Sequence, residues 1–241
     1  MKRKEALHII GGRESHDVLR KNLASRKPGK ILDAPCGTGI LSKFLKERGF
    51  LVYCCDIDKN NFKFSDVPFK EANLNRKLPY EDCMFDYVLC ANGVHRLFNV
   101  YGVLKEFNRV LKPEGILFIT VNNYASIVKR LRFFFYGSIT NTINESTYYQ
   151  EIDSPEANFR QPLFYPQLAN SLKKAGFAII DIKKSSVKFS HSVLVPFAWL
   201  IKFGTFFVSK RSFNINMIEK TRSSALLPGG KYFFVEARKI D

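Results

Sequence analysis

The chain has 241 residues, 46% apolar and 25% charged, which is enough to bury a full core and too ordinary for a disordered or fibrous protein. A formal net charge of +16 admits nucleic acid, an anionic membrane or a phosphorylated substrate as partner, without choosing among them. The five cysteines, at 36, 54, 55, 83 and 90, lack metal-ligand spacing, and the adjacent Cys54–Cys55 pair suits no disulfide framework, so they read as reduced thiols. The opening MKRKEALHII lacks the apolar stretch of a secretory signal. The longest apolar run, Val193 to Val208, is interrupted by Pro196, Lys202 and Gly204 and is too short to span a bilayer, so a cytoplasmic protein is expected.

Residues 1–28 are expected to form a helical cover carrying His16, and short apolar runs alternate with amphipathic ones from residue 29 onward. GKILDA reads as a buried strand, and the helix after PCGTG sets Ile40, Leu41, Phe44 and Leu45 against Lys43, Lys46, Glu47 and Arg48, with Gly49 at its C-cap. LVYCC ending at Asp56, KEANL and FDYVLCA follow as strands two to four. Asn99 to Leu111 places Val100, Val103, Leu104, Phe107, Val110 and Leu111 at helical spacing, and KPEG turns the chain into a fifth strand, ILFITV.

Beyond Asn123 the pattern loosens. SIVKRLRFFFYG reads as a helix and 138–160 as a polar loop or lid. YPQLANSLKKAGF is a helix with a glycine cap, FAIIDIK a strand and GKYFFVEARK a last strand. This alternation predicts one α/β domain over 1–241, a doubly wound, mostly parallel seven-stranded sheet with an antiparallel last strand. Its cofactor half is 29–123 and its substrate half 124–241, with insertions at 138–160 and 188–224. Between Ile182 and Arg222 eight Lys or Arg face one acid, Glu219, around the apolar run. That pattern suits an extra helical layer with a solvated basic face, or peripheral membrane contact through 193–208 at the inner surface.

In such sheets ligands bind beyond the carboxyl ends of the strands, where glycines let the backbone approach closely. Gly37 and Gly39 stand there, but their spacing is not G-x-G-x-x-G, and no Gly-Lys-Ser/Thr follows for a P-loop. Asp56, 23 residues after Asp33 at the end of the second strand, suits ribose hydroxyls, which favours an adenosine ligand without phosphates.

With ILDAPCGTG, LPYEDCMFDYVLC and NRVLKPEGILFITVNN in order over residues 29–123, the sequence resembles the class I, Rossmann-like methyltransferases. The cofactor which that resemblance implies is S-adenosyl-L-methionine. Carried over by position, Asp33, Gly37 and Gly39 hold its methionine end, with Ala34 and Thr38 in the same turn. Asp56, followed by Ile57, takes the ribose; Asn73 and Leu74 flank adenine; Ala91 and Asn92 lie beside the sulfonium. Two positions depart from the family pattern. Pro35 stands where a glycine is usual and excludes a left-handed backbone there, and Glu114 replaces a glycine before the fifth strand. A weaker likeness beyond Asn123 to methyltransferases of polysaccharide gene clusters tilts the acceptor toward a small molecule, a sugar or a lipid-linked glycan.

Methyl transfer rests largely on in-line positioning, so few catalytic groups are expected. His95 in NGVHRL is the candidate base for an alcohol acceptor, with an ordinary loop histidine as the alternative. An RNA methyltransferase is a competing reading of the charge. It is weakened because no Asn-Pro-Pro-aromatic motif is present and because the Pro35-Cys36 pair sits inside the glycine turn. A catalytically idle cofactor-binding module is the third reading, since His95-Arg96 replaces the Glu-His expected after the fourth strand.

Overall fold

A computed structural model of the chain describes residues 7, 12–138, 161–186 and 194–240. Its strands are β1 (Lys30–Asp33), β2 (Leu51–Asp56), β3 (Phe69–Glu71), β4 (Phe85–Ala91), β5 (Leu111–Asn122), β6 (Phe177–Lys184) and β7 (Tyr232–Lys239). They form one sheet in the order β3-β2-β1-β4-β5-β7-β6. The pairs among β1 to β5 are parallel, and β7 runs antiparallel between β5 and β6. This is the expected doubly wound sheet with an antiparallel last strand.

Alternation along the buried strands divides the core. Ile31, Leu89 and Phe118 point to the face covered by α1 (Arg13–Leu23) and α2 (Ile40–Lys46), where Leu19, Leu23, Leu41 and Leu45 pack against them. Leu32, Val88 and Leu117 point to the other face, under Leu104 and Phe107 of α3 (Val100–Val110) and Leu168 and Leu172 of α5 (Tyr165–Lys174). Strands buried on both faces carry continuous apolar runs, which is why these segments read so clearly. Asn99 caps α3 by accepting from the Gly102 N–H at 2.8 Å. The N-terminal cover is fixed by Arg26, whose Nη2 lies 2.5 and 2.6 Å from the two oxygens of Glu236 on β7, a carboxylate 3% exposed.

Two strand boundaries differ from expectation. Of KEANL, only Glu71 and the preceding Lys70 belong to β3, because this edge strand has β2 as its one partner and the chain turns away after it. KPEG, expected as a turn, is looped within β5: Phe85 pairs with Leu111 and Tyr87 with Ile116, so residues 112–115 bulge from the ladder.

After β5, the Ser126 hydroxyl caps α4 (Ile127–Tyr136), and Gly137 closes it at φ +63°. The basic, apolar segment forms α6 (Val195–Gly204), a 3₁₀ turn (Thr205–Phe207), α7 (Lys210–Ile215) and α8 (Ile218–Thr221). Its inward contacts run to α4 and the turn before β7, where Ile127, Leu131, Ala198, Ile201 and Leu227 form a third small core. The lid expected over 138–160 lies, apart from Ser138, outside the described residues. No described helix is long and apolar enough to cross a membrane.

Candidate active site

Strand order reverses between β1 and β4, and the crevice above that switch point is where the sequence motifs converge. Asp33 ends β1 and is 1% exposed. Its Oδ2 accepts from the Ser42 hydroxyl at 2.6 Å, and Ser42 in turn accepts from the Cys54 thiol at 3.1 Å. Its Oδ1 is buried with no partner among the described residues. Burial, reinforced by the nearby charge of Asp56, raises the Asp33 pKa from 3.8 to about 7 against the lowering effect of the Ser42 bond. A buried carboxylate oxygen left open in this way is complementary to a cationic donor.

The turn that follows supplies the close approach. Gly37 and Gly39 lie in the left-handed region at φ +53° and +84°, and a Cβ on Gly39 would come within 2.8 Å of both Phe62 and Phe64. Thr38 is buried, and its carbonyl accepts from the Lys63 N–H at 3.2 Å. Residues 57–68, a helix-free connection, therefore fold back over the glycine turn. The Ala34 N–H donates to the Leu89 carbonyl at 2.9 Å, and the Ala34–Pro35 peptide is cis.

Asp56 ends β2 and is buried. Its Oδ2 accepts from the Gly37 N–H at 2.8 Å and its Oδ1 from the Asp58 N–H at 3.1 Å, so one carboxylate braces two loops. Burial raises its pKa in spite of these bonds. A carboxylate has about four lone-pair positions, so capacity remains for ribose-type hydroxyls. This set of carboxylate acceptors thus fits an adenosine bearing a cationic amino-acid tail. Ile57 is half-buried beside Asp56. The Ala72 N–H donates to the Asp56 carbonyl at 2.8 Å, which brings Asn73 and buried Leu74 near; the Asn73 side chain accepts from the Asn75 N–H at 2.9 Å.

At the end of β4, Ala91 leads into Asn92, whose backbone is left-handed at φ +54°. The Asn92 N–H lies 3.1 Å from both Thr120 oxygens, and its side-chain Nδ2 donates to Ser15 Oγ at 2.7 Å, latching α1 to this strand end. Gly93 follows; a Cβ there would lie 2.3 Å from Pro35 Cδ and 2.7 Å from Cys90 Sγ. The ring that replaces a family glycine at 35 is thus accommodated by a glycine at 93. His95 is buried in a 3₁₀ turn (Val94–Arg96), its carbonyl accepting from the Gln161 N–H at 3.0 Å. His16 is buried on α1, next to Ser15.

The crevice therefore gathers Asp33, Ala34, Gly37, Thr38, Gly39, Asp56 and Ile57 around one turn. Asn73 and Leu74 stand on one flank, Ala91 and Asn92 on the other. Sequence reasoning missed Ser42, Gly93, Ser15, Phe62 and Phe64. Ser42 alone left a local signal, as a polar residue on the apolar side of α2; the others are defined by contacts across the chain.

Residues 32–119 match the family described as a methyltransferase domain. The demethylmenaquinone methyltransferase of Geobacillus stearothermophilus is 27% identical over 184 residues, 69% of this chain and 78% of the relative. Among solved structures, a SAM dependent methyltransferase from Archaeoglobus fulgidus superposes with a TM-score of 0.56 at 17% identity, over 92% of this chain and 94% of that one. The Burkholderia thailandensis 1,6-didemethyltoxoflavin-N1-methyltransferase, solved with 1,6-didemethyltoxoflavin and S-adenosylhomocysteine, superposes with a TM-score of 0.53 at 17% identity, over 95% and 78%. Motif order, the match of residues 32–119 to the methyltransferase domain and the seven-stranded sheet agree on a class I, Rossmann-like fold of the methyltransferase type.

Proposed function

We propose that this methyltransferase transfers the methyl group to an oxygen of a small molecule, a sugar or a lipid-linked glycan, working in the cytoplasm at or near the inner membrane surface. The observation that carries the cofactor part is the open Oδ1 of Asp33 beside two left-handed glycines. In this reading Asp33 takes the ammonium end, and Gly37 and Gly39, with Ala34 and Thr38, let the backbone lie against the methionine chain. Asp56 takes the ribose hydroxyls next to Ile57, Asn73 and Leu74 border adenine, and Ala91 and Asn92 border the sulfonium. The bound cofactor supplies an activated methyl; the chain supplies alignment and exclusion of water. His95 is assigned the proton of the acceptor hydroxyl. A small-molecule acceptor is supported by the neighbour solved with 1,6-didemethyltoxoflavin, and a lipid-borne one by the relative named for demethylmenaquinone.

Calorimetry with S-adenosylmethionine tests the cofactor assignment. Binding is expected, and Asp56→Ala is expected to weaken it at least about tenfold, since hydrogen bonds to a charged group contribute about 1.5–3 kcal/mol each. No heat at millimolar cofactor would overturn the assignment. His95→Gln is expected to lower turnover while sparing cofactor affinity; unchanged turnover removes His95 as the base. The charge of +16 keeps RNA as a second acceptor class, tested by affinity that falls steeply as salt rises.

A further inference from the structure

We propose that α4 and the α6–α8 segment together form a docking surface for an anionic lipid bilayer. This surface is distinct from the cofactor crevice and its use does not depend on methyl transfer. The two segments are some seventy residues apart in sequence. They are joined in space by the small core of Ile127, Leu131, Ala198 and Ile201, and by Arg130, which donates to the carbonyls of Ala125 (2.8 Å) and Thr221 (3.1 Å). With the inward residues used in that contact, the outward ones are large and apolar. Phe134 and Tyr136 on α4, and Trp199, Phe203, Phe206 and Phe207 on α6 and its 3₁₀ turn, are between 62% and 79% exposed. A folded protein rarely leaves this much aromatic surface in water without a partner for it.

Charge selects the partner. Over residues 126–138 and 194–222 the sequence holds eight Lys or Arg against one acid, Glu219. Lys202 lies over the Trp199 ring at 5.8 Å, and Lys210 and Arg211 open α7 shortly after Phe206 and Phe207 in the chain. Aromatic and aliphatic side chains enter the interface between headgroups and acyl chains, and cations beside them meet anionic headgroups. A second copy of the chain is disfavoured on the same ground, since a two-fold contact would bring these cations face to face. An open groove of about 490 Å³ on this face is lined by Trp199, Phe203 and Phe206 together with Lys202, Glu219 and Arg222. Because no described helix is long and apolar enough to cross a membrane, the contact formed by these helices is peripheral.

The chain has one tryptophan, Trp199, so its emission reports on this surface alone. The test titrates the full chain with vesicles of phosphatidylcholine, with or without phosphatidylglycerol, and follows emission and flotation. Expected is a blue shift with co-flotation on the phosphatidylglycerol vesicles, weakened by salt. Phe206→Ser with Phe207→Ser keeps the reporter and is expected to weaken binding at least about tenfold, given the transfer free energy of two aromatic side chains. Lys210→Gln with Arg211→Gln is expected to reduce binding and its salt dependence. Four results would each overturn the proposal: no shift on anionic vesicles, binding undiminished in the Phe206/Phe207 variant, a dimer in solution that this variant dissolves, or RNA binding that it abolishes. Calorimetry with S-adenosylmethionine on the same variants reads the cofactor site separately, so failure at the membrane leaves the methyl-transfer reading standing.

Discussion

The two halves of this molecule use opposite kinds of surface. In residues 29–123 the side chains that matter are polar and buried: Asp33 and Asp56 are 1% and 8% exposed, held by Ser42 and by the backbone of Gly37 and Asp58. Beyond residue 124 the conspicuous side chains are apolar and outside, on α4 and α6. A charged cofactor of fixed shape rewards preorganised polar groups on rigid strand ends. The proposed membrane-docking surface lies on the helices added around that frame. The contrast predicts that substitutions in the first half act on cofactor binding through packing and charge, and those in the second on the coupling of helices.

The largest effect is expected at the contact between the glycine turn and the turn after β4. Gly93→Ala forces a methyl against Pro35 and Cys90, both too close to accept it without backbone movement. A loss of about 3 kcal/mol or more of stability is expected, because the added methyl would sit 2.3 Å from Pro35 Cδ, with weakened S-adenosylmethionine binding if Pro35 belongs to the cofactor turn as proposed. Thermal unfolding and calorimetry read the two effects; a variant with wild-type stability and affinity would show that the two turns move independently.

Asp33→Asn is expected to separate stability from binding. Folding raises the pKa of Asp33 from 3.8 to about 7, so between those values the folded protein holds a proton that the unfolded chain has released. Its contribution therefore falls as pH rises toward 7, and the charge is costly above it. Asparagine keeps an acceptor for Ser42 without the charge. The advantage of the variant over wild type is expected to grow by about 2–3 kcal/mol between about pH 5 and about pH 8, while S-adenosylmethionine affinity falls. Melting temperatures of both proteins across that range decide it; a pH-independent difference would mean that Asp33 is ionised throughout.

In the second half, Arg130→Met removes the guanidinium that joins α4 to α8. About 2 kcal/mol is expected to be lost, because two carbonyls lose charged donors. Hydrogen exchange should show the loss in α4 and α6–α8 and leave β1–β5 unchanged. Faster exchange in the central strands would mean that the two halves unfold as one unit.

How much the sequence revealed follows the same division. The parallel strands were legible because both of their faces are buried, and α3 because its apolar residues recur at helical spacing with Asn99 as cap. The glycine turn and Asp56 were legible because their spacing along β1 and β2 is local. The cover of the glycine turn by Phe62 and Phe64 was not, since residues 57–68 carry no period, and Gly93 reads as an ordinary loop glycine until Pro35 is seen against it. Nor does the amphipathic pattern of SIVKRLRFFFYG show which side faces α6, because that pairing is set by Ala198 and Ile201 far along the chain. The expectation that the basic segment forms a helical layer agrees with α6–α8, but its outer face is aromatic as well as basic.

The smallest expected effect has the opposite sign. Glu114 holds φ +60° in the 112–115 bulge of β5, where related motifs carry glycine. A left-handed backbone costs a side-chain-bearing residue about 1–2 kcal/mol, and the added freedom of glycine in the unfolded chain returns part of that. The contact of Glu114 with Arg238, at 3.3 Å between side chains 65% and 48% exposed, offsets at most a few tenths of a kcal/mol. Glu114→Gly is therefore expected to stabilise the protein by about 0.5–1 kcal/mol, whereas Glu114→Ala, which keeps the backbone cost and loses the ion pair, should be neutral or slightly destabilising. Denaturant midpoints of the two variants separate the causes. If alanine stabilises as much as glycine, the cost at this position lies in the carboxylate and not in the backbone.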